Sequence, residues 1–240
     1  MKKPFLKILS LLVITAVLIG ILNAEVSIKQ GRDYKIYTVK MPLYLKLFDF
    51  FDRHYNYIRL EKQITAGAKT DEEKVLRIFE WTHRNIKPAP EGYPIIDDHV
   101  WSIIVRGYGV GDQFSDVFTT LCNYSGIEAF FSAMYAQDRR KQMTLSFCRL
   151  KTGWAIFDPY HGVYFKNKDG IIATVDEIKK ENWEAIYIDD AGRGTDFKSL
   201  FNDLGNIKGI GLNRANIQSP LRRLMFAVKE ALGLVPKEAY

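Results

Sequence analysis

The residue types with the most chemical promise lie in two places. One is a glycine-rich turn, Gly107-Tyr108-Gly109-Val110-Gly111-Asp112-Gln113; the other is Asp158-Pro159 followed by Tyr160 and His161. A turn that opens a helix leaves backbone N–H groups unpaired at the positive end of the helix dipole. A cysteine placed there ionises readily, and the same N–H groups can hold an oxyanion. A histidine on a neighbouring strand then takes the thiol proton, oriented by an aspartate or asparagine. The turn before Asp112 has the backbone for this chemistry, but it carries no nucleophilic side chain. The two cysteines cannot substitute. Cys122 falls about three helical turns further along, and Cys148 lies inside a strand pattern. Both sit in apolar stretches, so free core thiols are expected rather than a disulfide.

Other polar candidates are weaker. His99 follows Asp97 and Asp98, but three adjacent residues point in different directions and no second ligand motif is visible, so neither a metal nor another cofactor is expected. Asp112 is a natural acid for a helix N-terminus. His161 reads as a surface or groove-rim residue. His54 and His83 fall in helical stretches among charged residues and should be exposed or half-buried.

The elements that must position these residues follow from periodicity. Asp33 to Val39 alternates loosely, as a short strand or an extended arm would. Tyr44 to Ile64 reads as a helix. Thr70-Asp71-Glu72-Glu73 has capping-box spacing, in which the Thr hydroxyl and the Glu carboxylate each take an orphan N–H. Val75, Ile78, Phe79, Thr82 and Ile86 then form a buried stripe, and Pro88 ends the helix. Glu91 to Asp98 is a loop leading into an apolar run, Val100 to Val105.

The helix opening at Asp112 buries Phe114, Val117, Phe118, Leu121 and Cys122 and stops at Gly126. Ile127 to Met134 reads as a strand and Gln137 to Gln142 as a charged loop. Thr144 to Leu150 and Trp154 to Asp158 form a hairpin across Lys151-Thr152-Gly153. Val175 to Glu184 looks helical, Asp189 to Thr195 is loop, and Asn202 to Asn213 is glycine-rich. Ser219 and Pro220 then open a last helix, whose Leu221, Leu224, Met225, Val228 and Leu232 share one face. That face should pack on its own domain, although Arg222, Arg223 and Lys229 off the stripe also suit a membrane surface. Helices followed by antiparallel strands make an α+β arrangement.

The leader stands apart. Lys2, Lys3 and Lys7 flank a charge-free stretch of 17 residues from Ile8 to Ala24. Counted from Phe5, residues 5–24 can cross a bilayer as an anchor, with the lysines cytoplasmic and the bulk of the chain extracytoplasmic. Cleavage after Ala24 as a signal peptide is the competing reading, which would leave a periplasmic or secreted protein. The net charge of +6 falls to +3 without the three leader lysines, too weak a bias to argue for nucleic-acid binding. The expected organisation is leader 1–24, helical extension 25–69, core 70–190 and C-terminal extension 191–240.

The run Glu73 to Ile86, the glycine-rich turn, and Leu121-Cys122-Asn123-Tyr124-Ser125-Gly126-Ile127-Glu128-Ala129 together resemble the transglutaminase-like superfamily. Gly153-Trp154-Ala155-Ile156-Phe157-Asp158-Pro159 is similar to the strand that carries the third triad residue there. The resemblance implies a papain-like core of helices packed on an antiparallel sheet. It places the nucleophile at Gly111, the base at Met143 (Thr144 or Leu145 if the hairpin differs in length) and the third residue at Asp158. Neither glycine nor methionine can serve, so the resemblance implies a protein without acyl transfer by the family mechanism.

The expected role is then binding, of a glycan, a peptide or a partner protein, through a groove lined by Trp101, Tyr108, Asp112, Gln113, Trp154, Asp158, Tyr160 and His161. The resemblance also implies a bacterial subgroup concerned with envelope polysaccharide production or export. A hydrolase or transferase with a rewired site, using Asp112, Asp158, His99 or His161, is one alternative. A structural subunit of a membrane assembly is the other.

Overall fold

The structure, a computed structural model, describes residues 2–97, 99–135, 142–202, 204–205 and 219–234. Asp98, most of the charged loop after Gln137 and most of the glycine-rich stretch Asn202–Asn213 lie outside the described residues. In chain order the elements are α1 (Lys2–Asn23), β1 (Glu25–Arg32), β2 (Lys35–Pro42), α2 (Leu43–Ile64), α3 (Asp71–Asn85), β3 (Lys87–Pro88) and β4 (Ile96–Asp97). Then come α4 (Val100–Arg106), β5 (Tyr108–Gly109), α5 (Gly111–Tyr124), β6 (Ala129–Tyr135), β7 (Gln142–Leu150), β8 (Gly153–Asp158) and β9 (Val163–Lys166). Last are α6 (Val175–Lys179), β10 (Glu184–Tyr187), α7 (Phe197–Phe201) and α8 (Pro220–Ala231). They form two compact units: Met1–Arg53 with Pro94–Asp98, and His54–Tyr93 with His99–Tyr240. Helix α2 runs from one into the other.

In the first unit, α1 contains one segment, Phe5–Asn23, long and apolar enough to span a membrane. Nothing in the fold buries it, as suits an anchor or a signal sequence. β1 and β2 pair antiparallel along their whole length, from Glu25 opposite Pro42 to Arg32 opposite Lys35. Asp33 and Tyr34 turn the chain, both at positive φ, as a two-residue hairpin turn of the primed type requires. Asp33 is therefore turn rather than the start of an arm. The carboxylate of Asp33 also takes the N–H of Ile95, beside the short β1–β4 pairing.

The second unit is built around a five-stranded antiparallel sheet in the order β10-β9-β8-β7-β6. Alternation along its strands sorts side chains to two faces. Cys148, Leu150, Ala155 and Phe157 point to one core, shared with Val75, Ile78 and Phe79 of α3 and Phe114, Val117, Phe118 and Leu121 of α5. Leu145, Phe147, Ile156 and Phe165 point to the other, covered by Val175 and Ile178 of α6 and Phe197, Leu200 and Phe201 of α7. The result is the expected α+β core of helices on an antiparallel sheet.

Helix α5 is the centre of the first layer. It touches α3, α4, β6 and β7, and every residue from Gln113 to Asn123 is buried. A helix buried all round must satisfy its polar side chains internally. Asn123 does so, donating to the carbonyls of Thr119 and Ala129. Cys122 and Cys148 meet in this core as free thiols with their sulfurs 3.8 Å apart. Burial, and then the adjacent Cys148, push the Cys122 thiol well above its ordinary pKa, so it is unreactive.

Three helices differ from the sequence pattern. α6 ends at Lys179 rather than Glu184, because Glu181 takes a left-handed φ of 56° and the chain turns into β10. α7 is only five residues long, capped by Asp196 on the Ser199 N–H. α8 begins at Pro220 as the motif demands, but its apolar face does not pack on the domain: Leu221, Leu224, Met225, Val228 and Leu232 are all exposed.

Candidate functional site

The glycine-rich turn is held from both sides. α3 begins at Thr70, whose hydroxyl accepts the Glu73 N–H at 3.1 Å. The Glu73 carboxylate takes the Lys69 N–H, one residue earlier than in a standard capping box. The C-terminal end of α3 runs into β3, which pairs in parallel with β5 through Lys87 N–H to Gly107 O and Ala89 N–H to Gly109 O, each 2.9 Å. Gln113 closes the other side. Its Oε1 accepts from Arg106 Nη2 at 2.9 Å and from the Val110 N–H at 3.3 Å. Gln113 is thus a buried brace for the turn.

The two glycines of this turn differ in kind. A Cβ on Gly109 would meet the Gln113 side chain at 2.9 Å, so packing demands glycine there. A Cβ on Gly111 would meet only the Cγ of Tyr160, at 3.8 Å, an ordinary contact. Gly111 is the first residue of α5 and its φ is not left-handed. Nothing in the backbone or the packing forbids a side chain at that position.

Tyr160 stands beside it, in the loop that also holds Asp158 and His161. Asp158 ends β8 and is fully buried. Its carboxylate accepts the His161 N–H at 3.2 Å through Oδ1 and pairs with His161 Nδ1 at 2.7 Å through Oδ2. The Asp158 hydrogen bond raises the His161 pKa above its ordinary value, burial opposes the rise, and the Asp158 charge adds to it. No described residue hydrogen-bonds to Nε2, and the side chain is a quarter exposed. The Tyr160 ring packs edge-on against Phe114 of α5 at 5.0 Å and against the His161 ring at 4.8 Å. Chemically this is an imidazole oriented by a buried carboxylate, next to a tyrosine that packs on the first residue of a helix.

His83 supports this loop from below and departs from expectation. It is buried, not exposed, with Nδ1 3.0 Å from the Pro159 carbonyl and Nε2 2.7 Å from Asp189 Oδ2. The His83 hydrogen bond is the chief cause of the lowered Asp189 pKa. Gly162, at φ 65°, lies flat on the His83 ring, where a Cβ would come within 2.7 Å. The signal for this role was a helical histidine on the same stripe as Phe79 and Thr82, one position off.

The remaining candidates are scattered. Met143 and Trp154 pack against the core on the other face of the sheet; Trp154 sits between Phe130 and the Arg149 guanidinium. Leu145 is fully buried in that same core, and Thr144 pairs with Ala133 in the sheet. Trp101 packs edge-on to Tyr57, Tyr108 lies by Tyr93 and Arg106, and Asp112 is exposed in the first turn of α5. His99 precedes α4 without capping it, and His54 is half-buried with Nδ1 2.9 Å from the Tyr124 hydroxyl, its pKa lowered by burial. Among the described residues no three His, Cys, Asp or Glu side chains gather as a metal site would require. A small polar pocket lined by Asn123, Gly126, Ile127, Glu128 and Arg222 lies at the opposite end of α5.

Three solved structures are similar to part of this chain. A proposed cysteine protease from Cytophaga hutchinsonii is 16% identical with a TM-score of 0.40, over 56% of this chain and 47% of that one. A proposed protease from Parabacteroides distasonis is 13% identical with a TM-score of 0.37, over 55% and 35%. A TGase is 11% identical with a TM-score of 0.36, over 52% and 40%. The chain thus spans less than half the length of each of these structures. No protein of curated function matches it. The transglutaminase-like superfamily model matches residues 58–192, from within α2 to just beyond β10. With more than half of its length in that match, the chain belongs to the transglutaminase-like superfamily.

Proposed function

We propose that this protein binds its ligand without forming an acyl-enzyme, as a transglutaminase-like domain whose nucleophile position is empty. One observation carries the reading: Gly111 is the first residue of α5, with Tyr160 against it and the Tyr160 ring in turn against His161, which Asp158 holds. On this reading the helix start keeps its open backbone N–H groups and Asp158 still orients an imidazole, while the atom that would attack a carbonyl is missing at Gly111. Tyr160 offers a ring that a sugar or peptide side chain could stack on. The apolar α1 with its lysine flank supports an extracytoplasmic position, on a membrane anchor or after signal cleavage, and so a ligand of the cell envelope.

The test uses the full chain in nanodiscs, titrated with soluble envelope glycans and peptides. Saturable binding that Tyr160→Ala weakens at least tenfold, with no thiol-reactive adduct and no turnover, is the expected result. Turnover of any acyl or glycosyl substrate would overturn it. A second reading rests on the open Nε2 of His161, which could activate a water for hydrolysis. Turnover lost in both His161→Ala and Asp158→Asn, in protein that remains folded, would select that reading.

A further inference from the structure

The stripe on α8 is unusual because the helix docks by its other side. At about 100° per residue, Leu221, Leu224, Met225, Val228 and Leu232 fall within about 100° of arc. Phe226 projects roughly opposite that arc, and it is the buried one among the helix's described side chains, 7% exposed. Arg222, next to Phe226 on the helical wheel, lines the polar pocket at the end of α5. The domain therefore holds α8 by the Phe226–Arg222 side, and the stripe of five large apolar side chains, each 49% exposed or more, faces outward.

We propose that this face of α8 is a membrane-surface site that lies in the interface of an anionic bilayer. The charge pattern selects that occupant. The helix carries Arg222, Arg223 and Lys229 against one acid, Glu230. Lys229 borders the apolar stripe, and neither Lys229 nor Arg223 makes an ion pair with a described residue. An apolar stripe bordered by the unpaired Lys229, on a helix of net positive charge, matches acyl chains beneath anionic headgroups. Two copies of α8 stacked stripe to stripe would bring like charges together.

The measurement is depth-dependent quenching on the full-length protein in nanodiscs that hold one copy each. Cys122 and Cys148 are buried, so a fluorophore attaches to a single introduced thiol in Val228→Cys, or in Lys168→Cys as an exposed control. Discs of phosphatidylglycerol mixed with phosphatidylcholine are compared with phosphatidylcholine alone, and a label on Val13→Cys reports the insertion of α1 separately. Lipid-borne nitroxide should quench the position-228 label by about twofold or more in the anionic discs, and less in the zwitterionic ones. It should leave position 168 unaffected, and Arg223→Glu with Lys229→Glu should abolish the difference. Equal iodide access at position 228 in every disc would overturn the proposal. So would protection from iodide without nitroxide quenching, which would mark another part of the chain as the cover.

Discussion

At the residue scale the proposed reading turns on Gly111, the bare first position of α5, which lies against Tyr160, whose ring in turn meets the Asp158-bound His161. The bareness is not enforced by packing, since a Cβ on Gly111 lies 3.8 Å from Tyr160. Gly111→Cys should therefore fold with stability unchanged or raised by up to about 1 kcal/mol, because glycine is a poor helix residue. Its thiol should titrate below the ordinary cysteine pKa, read from the pH dependence of alkylation. His161 makes the second prediction. Its folded pKa is raised by Asp158, so its contribution to stability is complete below about 6.5, the unfolded value, and is lost as pH rises through the folded value. Proton NMR titration should show that rise in the wild type, and Asp158→Asn should remove it. The pair itself was hard to foresee. Residues three apart in a loop have no set geometry, whereas Gly111 at a helix start was readable from the glycines and the apolar stripe that follows.

At the scale of elements, the site loop stays in place because α3 and the chain after β10 clamp it through His83. Removing that ring frees the Pro159 carbonyl, releases Asp189 and opens a space under Gly162. His83→Ala should cost about 2 kcal/mol in urea unfolding. Gly162→Ala should cost about as much or more, since it meets both a left-handed φ and the His83 ring. Both should lower the His161 pKa if the loop relaxes, which separates a positioning effect from a global one. Elements with strong local punctuation were legible: α3 from Thr70 and α5 from the glycine turn to Gly126. β10 and α7 were not, because α6 stops at a non-glycine residue in a left-handed turn and α7 is too short to show a period. The β1–β2 hairpin was missed for a similar reason, its turn being Asp33-Tyr34 without glycine.

For the whole molecule, α1 and the α8 stripe are two exposed apolar surfaces among the described residues. α1 should make the uncleaved full-length chain resist alkaline carbonate extraction from membranes, and deletion of residues 5–23 should release it; a chain extracted intact would show that α1 does not span. The α8 stripe could not be assigned from sequence. An amphipathic pattern looks the same whether its apolar side meets a protein core or a bilayer, and it is the exposure of the stripe, with Phe226 buried on the opposite side, that supports the second.

The sheet order β10-β9-β8-β7-β6 is simply the chain order reversed, with no strand inserted out of turn. Every ladder in it closes between neighbours along the chain, and α5 lies immediately before β6. Few long loops must therefore be closed before favourable contacts form, which places this core toward the rapid end for a protein rich in strands. Such a scaffold can be assembled while the polypeptide is still emerging, from α3 onward. It also tolerates change in the loop between β8 and β9, since that loop joins two strands already side by side. A catalytic site on this framework can lose or move a residue while the order in which the framework assembles stays the same.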